Sequence, residues 1–149
     1  MDDSQRDGSG SRDPAADVRE RVHSEFDQTL ADLVDAAREV ADSWEDDAVR
    51  SAAMVSAPLE EAIRRRGLAG ALLGSLQAGA ATLDSDVQGR PVPAPPYLVV
   101  TSRGPLCRGT LADGRRLVLT FVLFGVDRRP RRYRFLDPRP DGCLDVDLR

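Results

Sequence analysis

The chain contains no lysine: its 21 basic residues are all arginine. Histidine occurs once and cysteine twice among 149 residues, and aromatics make up only 5%. Two cysteines, Cys107 and Cys143, without a CxxC spacing, exclude a disulfide scaffold. There is no Gly-x-Ser-x-Gly elbow for a serine nucleophile, and no Walker A or dinucleotide-binding glycine loop. His23 is the only histidine available as a base. The uncharged stretch from Gly67 to Leu83 falls short of the ~20 residues a membrane span requires. Its glycines, with Ser75, Gln77 and Thr82, make it barely apolar. Gly70 and Gly74 form a GxxxG, which signals dimerisation only inside a genuine span. A closely packed buried helix is expected there instead.

What is present is charge, and it is unevenly placed. The acids are 19 Asp and 6 Glu, giving a net charge of −4. Residues 1–89 hold 9 Arg against 19 acids, while residues 90–149 hold 12 Arg against 6 acids. Such a division suits a nucleic-acid-facing half, or two halves that attract each other within or between subunits. No signal peptide opens the sequence, whose first residues are acidic and spaced by Gly and Ser. Reduced thiols and a cytoplasmic protein are expected.

Residues 1–12 are polar and expected to be a disordered tail, leaving 13–149 as a single domain. Asp13-Pro14 reads as an N-cap followed by proline at the first helical position. From there Val18, Val22, Phe26, Leu30, Leu33, Ala37, Val40 and Trp44 recur at spacings of four and three. They form one apolar stripe on a helix of about 45 Å. A break is expected near Glu45, with Asp46-Asp47 opening a shorter helix through Val49, Ala52, Ala53 and Val55. Ser56 then caps another, with Pro58 early, Arg64 to Arg66 late and Gly67 as the stop. This helical part runs over 13–87, and the proline-rich 88–96 is an extended connector.

Beyond it, in 97–149, the period changes to two. Strands are expected over Tyr97 to Ser102, Leu106 to Leu111, Arg116 to Phe124, Tyr133 to Leu136 and Leu144 to Leu148, with an Asp113-Gly114 hairpin. Leu117 to Phe124 is apolar on both faces except for Thr120, which suits a central strand covered on both sides. The fold class is α+β: N-terminal helices packed on a C-terminal antiparallel meander of about four to five strands.

The helix-then-meander layout and the segment Pro95-Pro96-Tyr97-Leu98-Val99-Val100-Thr101-Ser102-Arg103-Gly104-Pro105 resemble small uncharacterised proteins of haloarchaea. The similarity covers residues 13–149. The arginine-only, aspartate-rich composition suits salt-loving archaea, and GC-rich codon usage, as in GC-rich bacteria, gives the same arginine bias. The resemblance implies compartment and compactness, with no activity attached.

Candidate chemistry is sparse. Glu20 and His23 make one Glu-x-x-His, whereas di-iron bundles need two with further glutamates. His23 flanks the stripe, and no metal or cofactor is expected. Cys107 has Arg108 beside it, but strand neighbours point to opposite faces. Cys143 is expected on the polar side. The pairs Glu60-Glu61, Asp46-Asp47 and Asp84-x-Asp86 are read as capping and solvated acids. Five arginines around a proline (Arg128, Arg129, Arg131, Arg132 and Arg134) could grip phosphates while Tyr133 stacks on a base. High salt would weaken that grip steeply.

The function expected first is a non-enzymatic protein-interaction or oligomerisation module. It would meet a second copy or another protein through Phe26, Leu30, Leu33, Ala37 and Trp44 on the long helix. Nucleic-acid association through Arg128 to Arg134 is the alternative. A small enzyme or ligand binder, requiring a pocket that collects His23, Cys107 or several carboxylates, comes third.

Overall fold

The computed structural model describes residues 13–149; the expected tail at 1–12 lies outside the described residues. Four helices come first: α1 (Pro14–Glu25), α2 (Asp27–Asp42), α3 (Ala53–Arg65) and α4 (Ala69–Thr82). A short strand β1 (Ala48–Val49) separates α2 from α3. The C-terminal part adds β2 (Leu98–Val100), β3 (Pro105–Thr110), β4 (Arg116–Phe121), β5 (Phe124–Arg128), β6 (Arg131–Phe135) and β7 (Leu144–Leu148). The architecture is α+β, as the change of period implies.

Local chemistry accounts for the helix ends. The Asp13 carboxylate accepts a hydrogen bond from the Ala15 N–H at 3.0 Å, with Pro14 opening α1. Gly67, at φ 69°, stops α3: its N–H donates to Arg64 and that of Leu68 to Ile63, both at 3.0 Å. This is the Schellman arrangement, which needs a left-handed residue just beyond the helix. Asp84, at φ 56°, does the same for α4, with Ser85 donating to Ala80 at 3.0 Å.

The long apolar stripe is divided between two helices. Phe26, at φ −123° and ψ 25°, ends α1 and precedes α2. Its ring lies 3.5 Å from where a Cβ on Gly74 would stand. Asp46 and Asp47 do not open a helix: Val49 pairs with Tyr133, and α3 begins only at Ala53, passing through Ser56 and Pro58 unbroken.

The strands form two sheets. One has the order β2-β3-β4-β7 and the other β1-β6-β5, with every named pairing antiparallel. The run expected as one central strand therefore splits. β4 ends at Phe121, and Val122-Leu123 carry the chain into β5 of the smaller sheet. This explains its apolarity on both sides: Leu117, Leu119 and Phe121 face the helices, while Leu123 and Phe124 enter the same core after the crossing.

Helices α1, α3 and α4 lie on one face of the larger sheet, and α2 lies against β6. The core joins Val18, Leu30, Leu59, Leu72 and Leu76 to Cys107, Leu117, Phe121 and Phe124. The outer face of the larger sheet carries half-buried Val99, Leu106 and Val118 beside Arg108 and Asp145, and no described helix covers it. No described helix is long and apolar enough to cross a membrane.

Candidate anion-binding surfaces

The apolar stripe is spent inside the molecule. Leu30, Leu33 and Ala37 are at most 1% exposed, so they cannot form the contact surface expected of them. Phe26 and Trp44 are half-buried and pack against the same core. The Trp44 ring sits 5.8 Å from that of Phe124, which in turn sits 5.8 Å from Phe135.

The nucleophile and metal candidates are likewise internal or dispersed. Cys107 is fully buried, its thiol 3.4 Å from the Leu72 carbonyl, and burial pushes its pKa up to about 12. Arg108 does project from the opposite face of β3. Cys143 is buried, not on the polar side, because the 3-10 turn Pro140–Gly142 folds over it; its thiol pKa rises to about 11. His23 is half-buried, with no hydrogen-bond partner for Nε2 among the described residues. Among the described residues, no group of His, Cys, Asp and Glu is placed to hold a metal ion. The acid pairs dissolve into local roles: Glu61 bonds Arg64, Asp84 ends α4, and Asp46 and Asp47 are exposed.

The arginine cluster folds as the hairpin β5–β6, with Arg129 and Pro130 at its tip. Alternation divides its side chains. Register sets Arg128 opposite Arg131, on the same face as the Val126–Tyr133 pair. Arg132 and Arg134 point to the other face, where Arg134 bonds Asp127 at 3.3 Å and Arg132 lines a cleft with Asp46, Asp47 and Arg50. Tyr133 is only 8% exposed and belongs to the core, so it is not placed to stack on a base. Arg128, Arg129 and Arg131 are exposed and bond no carboxylate among the described residues. Like charges directly across a strand pair repel each other, which makes this end of the hairpin a candidate anion site.

A second basic surface was not legible in the sequence. The connector is pinned to the sheet at both ends. At its start Gln88 N–H donates to the Thr110 carbonyl at 2.7 Å; at its close Arg108 Nε donates to the Pro96 carbonyl at 3.0 Å. Between them lies a cleft of about 370 Å³ lined by Gln88, Gly89, Tyr97, Arg108, Thr110 and Arg116 among others. His23, Cys107 and the carboxylates play no part in it. Its members are spread over a loop and two strands, and only the pairing of β3 with β4 unites Arg108 with Arg116.

No curated protein and no solved structure matches this chain. A family model described as a domain of unknown function, DUF7988, matches residues 16–149, nearly all of the described structure, and the chain belongs to that family.

Proposed function

We propose that this protein is a small cytoplasmic, non-enzymatic binding module that associates with nucleic acid through the phosphate backbone. The observation that carries the reading is the Arg128–Arg131 pair, facing each other in register with Arg129 on the turn and no carboxylate bonded to any of them among the described residues. With Tyr133 in the core, the contact is to phosphates alone and is independent of base sequence. The rival reading, protein contact through the helical stripe, loses its surface to the chain's own core. Arginine as the only cation beside 19 Asp fits a haloarchaeal origin, which would make salt dependence the decisive property.

The test is the binding of a labelled 20-nucleotide strand, followed by fluorescence anisotropy over a salt series. Binding is expected to fall linearly with salt on logarithmic axes. The combined Arg128→Ser, Arg129→Ser and Arg131→Ser variant should weaken binding and flatten the slope by roughly 2, near 0.7 for each phosphate contact on a single strand. These side chains are exposed, so far-UV circular dichroism should be unchanged. Binding that survives the triple change with the same slope ends the proposal.

A further inference from the structure

We infer that the cleft between the connector and the outer face of β3 and β4 is a binding site for a small phosphorylated molecule carrying a planar ring, of the size of a nucleoside monophosphate. The inference is independent of the arginine hairpin, which lies on the other sheet.

Charge is the first argument. Among the described residues, the cleft is lined by Arg108 and Arg116 and by no Asp or Glu side chain. Four further clefts mix arginine with aspartate or glutamate, as in the one holding Asp35, Arg38 and Glu39. Arg116 stands across from Thr110 on β3 and beside Arg149, whose own guanidinium is turned to Asp147 at 2.6 Å. Arg116 thus keeps all its side-chain donors free among the described residues. Among the described residues Arg108 uses only Nε, on Pro96, which fixes its side chain and leaves both terminal nitrogens free. A guanidinium oriented in this way matches the oxygens of a phosphate two at a time.

Shape is the second argument. At about 370 Å³ the cleft exceeds what a bare phosphate would fill and lies at the small end of the range for small-molecule sites, ~300–1,000 Å³. Tyr97 supplies an apolar surface beside the charge. The Arg108 N–H donates to the Tyr97 carbonyl at 2.9 Å, one step from the Leu98–Cys107 pair, so Tyr97 and Arg108 share the outer face. The phenol lies over Gly89, at φ 84°, where a Cβ would come within 2.6 Å of the hydroxyl. Glycine at this position lets the connector close on the tyrosine. Phosphate on Arg108 and Arg116 would therefore leave the remainder of the ligand against Tyr97.

The experiment is calorimetric titration of the full chain, at low salt, with AMP, adenosine and inorganic phosphate in turn. AMP should bind at one site, with inorganic phosphate and adenosine each about tenfold weaker or more. Arg116→Ala should cost AMP affinity at least about tenfold. Its thermal unfolding should match the parent's, because the Arg116 side chain makes no hydrogen bond or ion pair among the described residues. Tyr97→Ala should weaken AMP and leave inorganic phosphate unchanged. The triple-serine hairpin variant should bind AMP like the parent, which separates this site from the hairpin. The inference is overturned if AMP shows no saturable binding, if AMP binds no better than inorganic phosphate, or if Arg116→Ala binds AMP as the parent does.

Discussion

Arg38 on α2 bonds Asp137 at 2.7 Å, and theirs is the one ion pair among the described residues that joins the acidic half of the chain to the basic half. It runs against the charge excess, since the arginine comes from the acidic side. That pair adds an arginine to the basic surplus of residues 90–149 and takes none away. Arg38 also reaches Asp35 at 2.8 Å and lies 5.7 Å over the Phe135 ring. Both partners are substantially exposed, so solvent screens the pair. Arg38→Ala is expected to lower stability in urea denaturation by about 1 kcal/mol or less, from the ion pairs and the ring contact together. Asp137 sits at φ 49°, where glycine is relaxed, so Asp137→Gly should cost less than Arg38→Ala. In 1 M salt the ionic part of both losses should shrink, since the Debye length falls to about 3 Å.

Two glycines of α4 should respond to alanine with opposite signs. A Cβ on Gly79 would stand 2.9 Å from Val18 Cγ1 and 3.2 Å from Leu117 Cδ2, where α1, α4 and β4 meet. One on Gly74 would meet only the Phe26 ring, at an ordinary 3.5 Å. Gly74→Ala should therefore stabilise the protein by about 0.5–1 kcal/mol through helix propensity alone. Gly79→Ala gains the same propensity but overpacks the core, at a cost of about 1–3 kcal/mol, and should come out destabilised. Thermal unfolding of the two variants decides it; a Gly79→Ala protein as stable as its parent would mean that Val18 yields freely.

These contacts also separate what was legible in the sequence from what was not. Local signals carried through: the Asp13-Pro14 start, the Gly67 stop and the Asp113-Gly114 hairpin, where Asp113 accepts from the Arg115 N–H at 3.0 Å. The break at Phe26 was hidden because the spacing of four from Val22 to Leu30 continues across it. The half-buried Phe26 ring at the break packs beside Gly74, a neighbour far away in sequence. The local pattern over β1 suits a helix for the same reason: Val49 is extended because Tyr133 pairs with it. The double-sided run from Leu117 to Phe124 concealed a change of sheet, since burial on alternate faces and burial before and after a crossing look alike in one dimension. For the sites, the arginine hairpin is visible as a cluster, but the burial of Tyr133, expected as a stacking residue, is not. Arg108 and Arg116 had no local signal, because strand pairing alone brings them together.

The buried thiol of Cys107 makes the stability of the fold sensitive to alkaline pH. Its pKa is pushed from 9.0 to about 12, because desolvation disfavours the thiolate. The unfolded chain loses this proton near pH 9 while the folded chain keeps it, so the unfolded state binds fewer protons above that pH. The contribution of the thiol to stability is therefore whole below pH 9 and is lost as pH climbs toward 12. The slope approaches about 1.4 kcal/mol per pH unit for this one group. Urea midpoints measured from pH 8 to pH 10.5 should fall for the parent protein, and a Cys107→Ala variant should fall less steeply, though from a lower starting stability. The same burial should keep Cys107 unreactive toward a thiol reagent at pH 8 until denaturant is added. Rapid labelling of Cys107 in the native protein, or equal alkaline slopes for parent and variant, would contradict the packing of this thiol against Leu72.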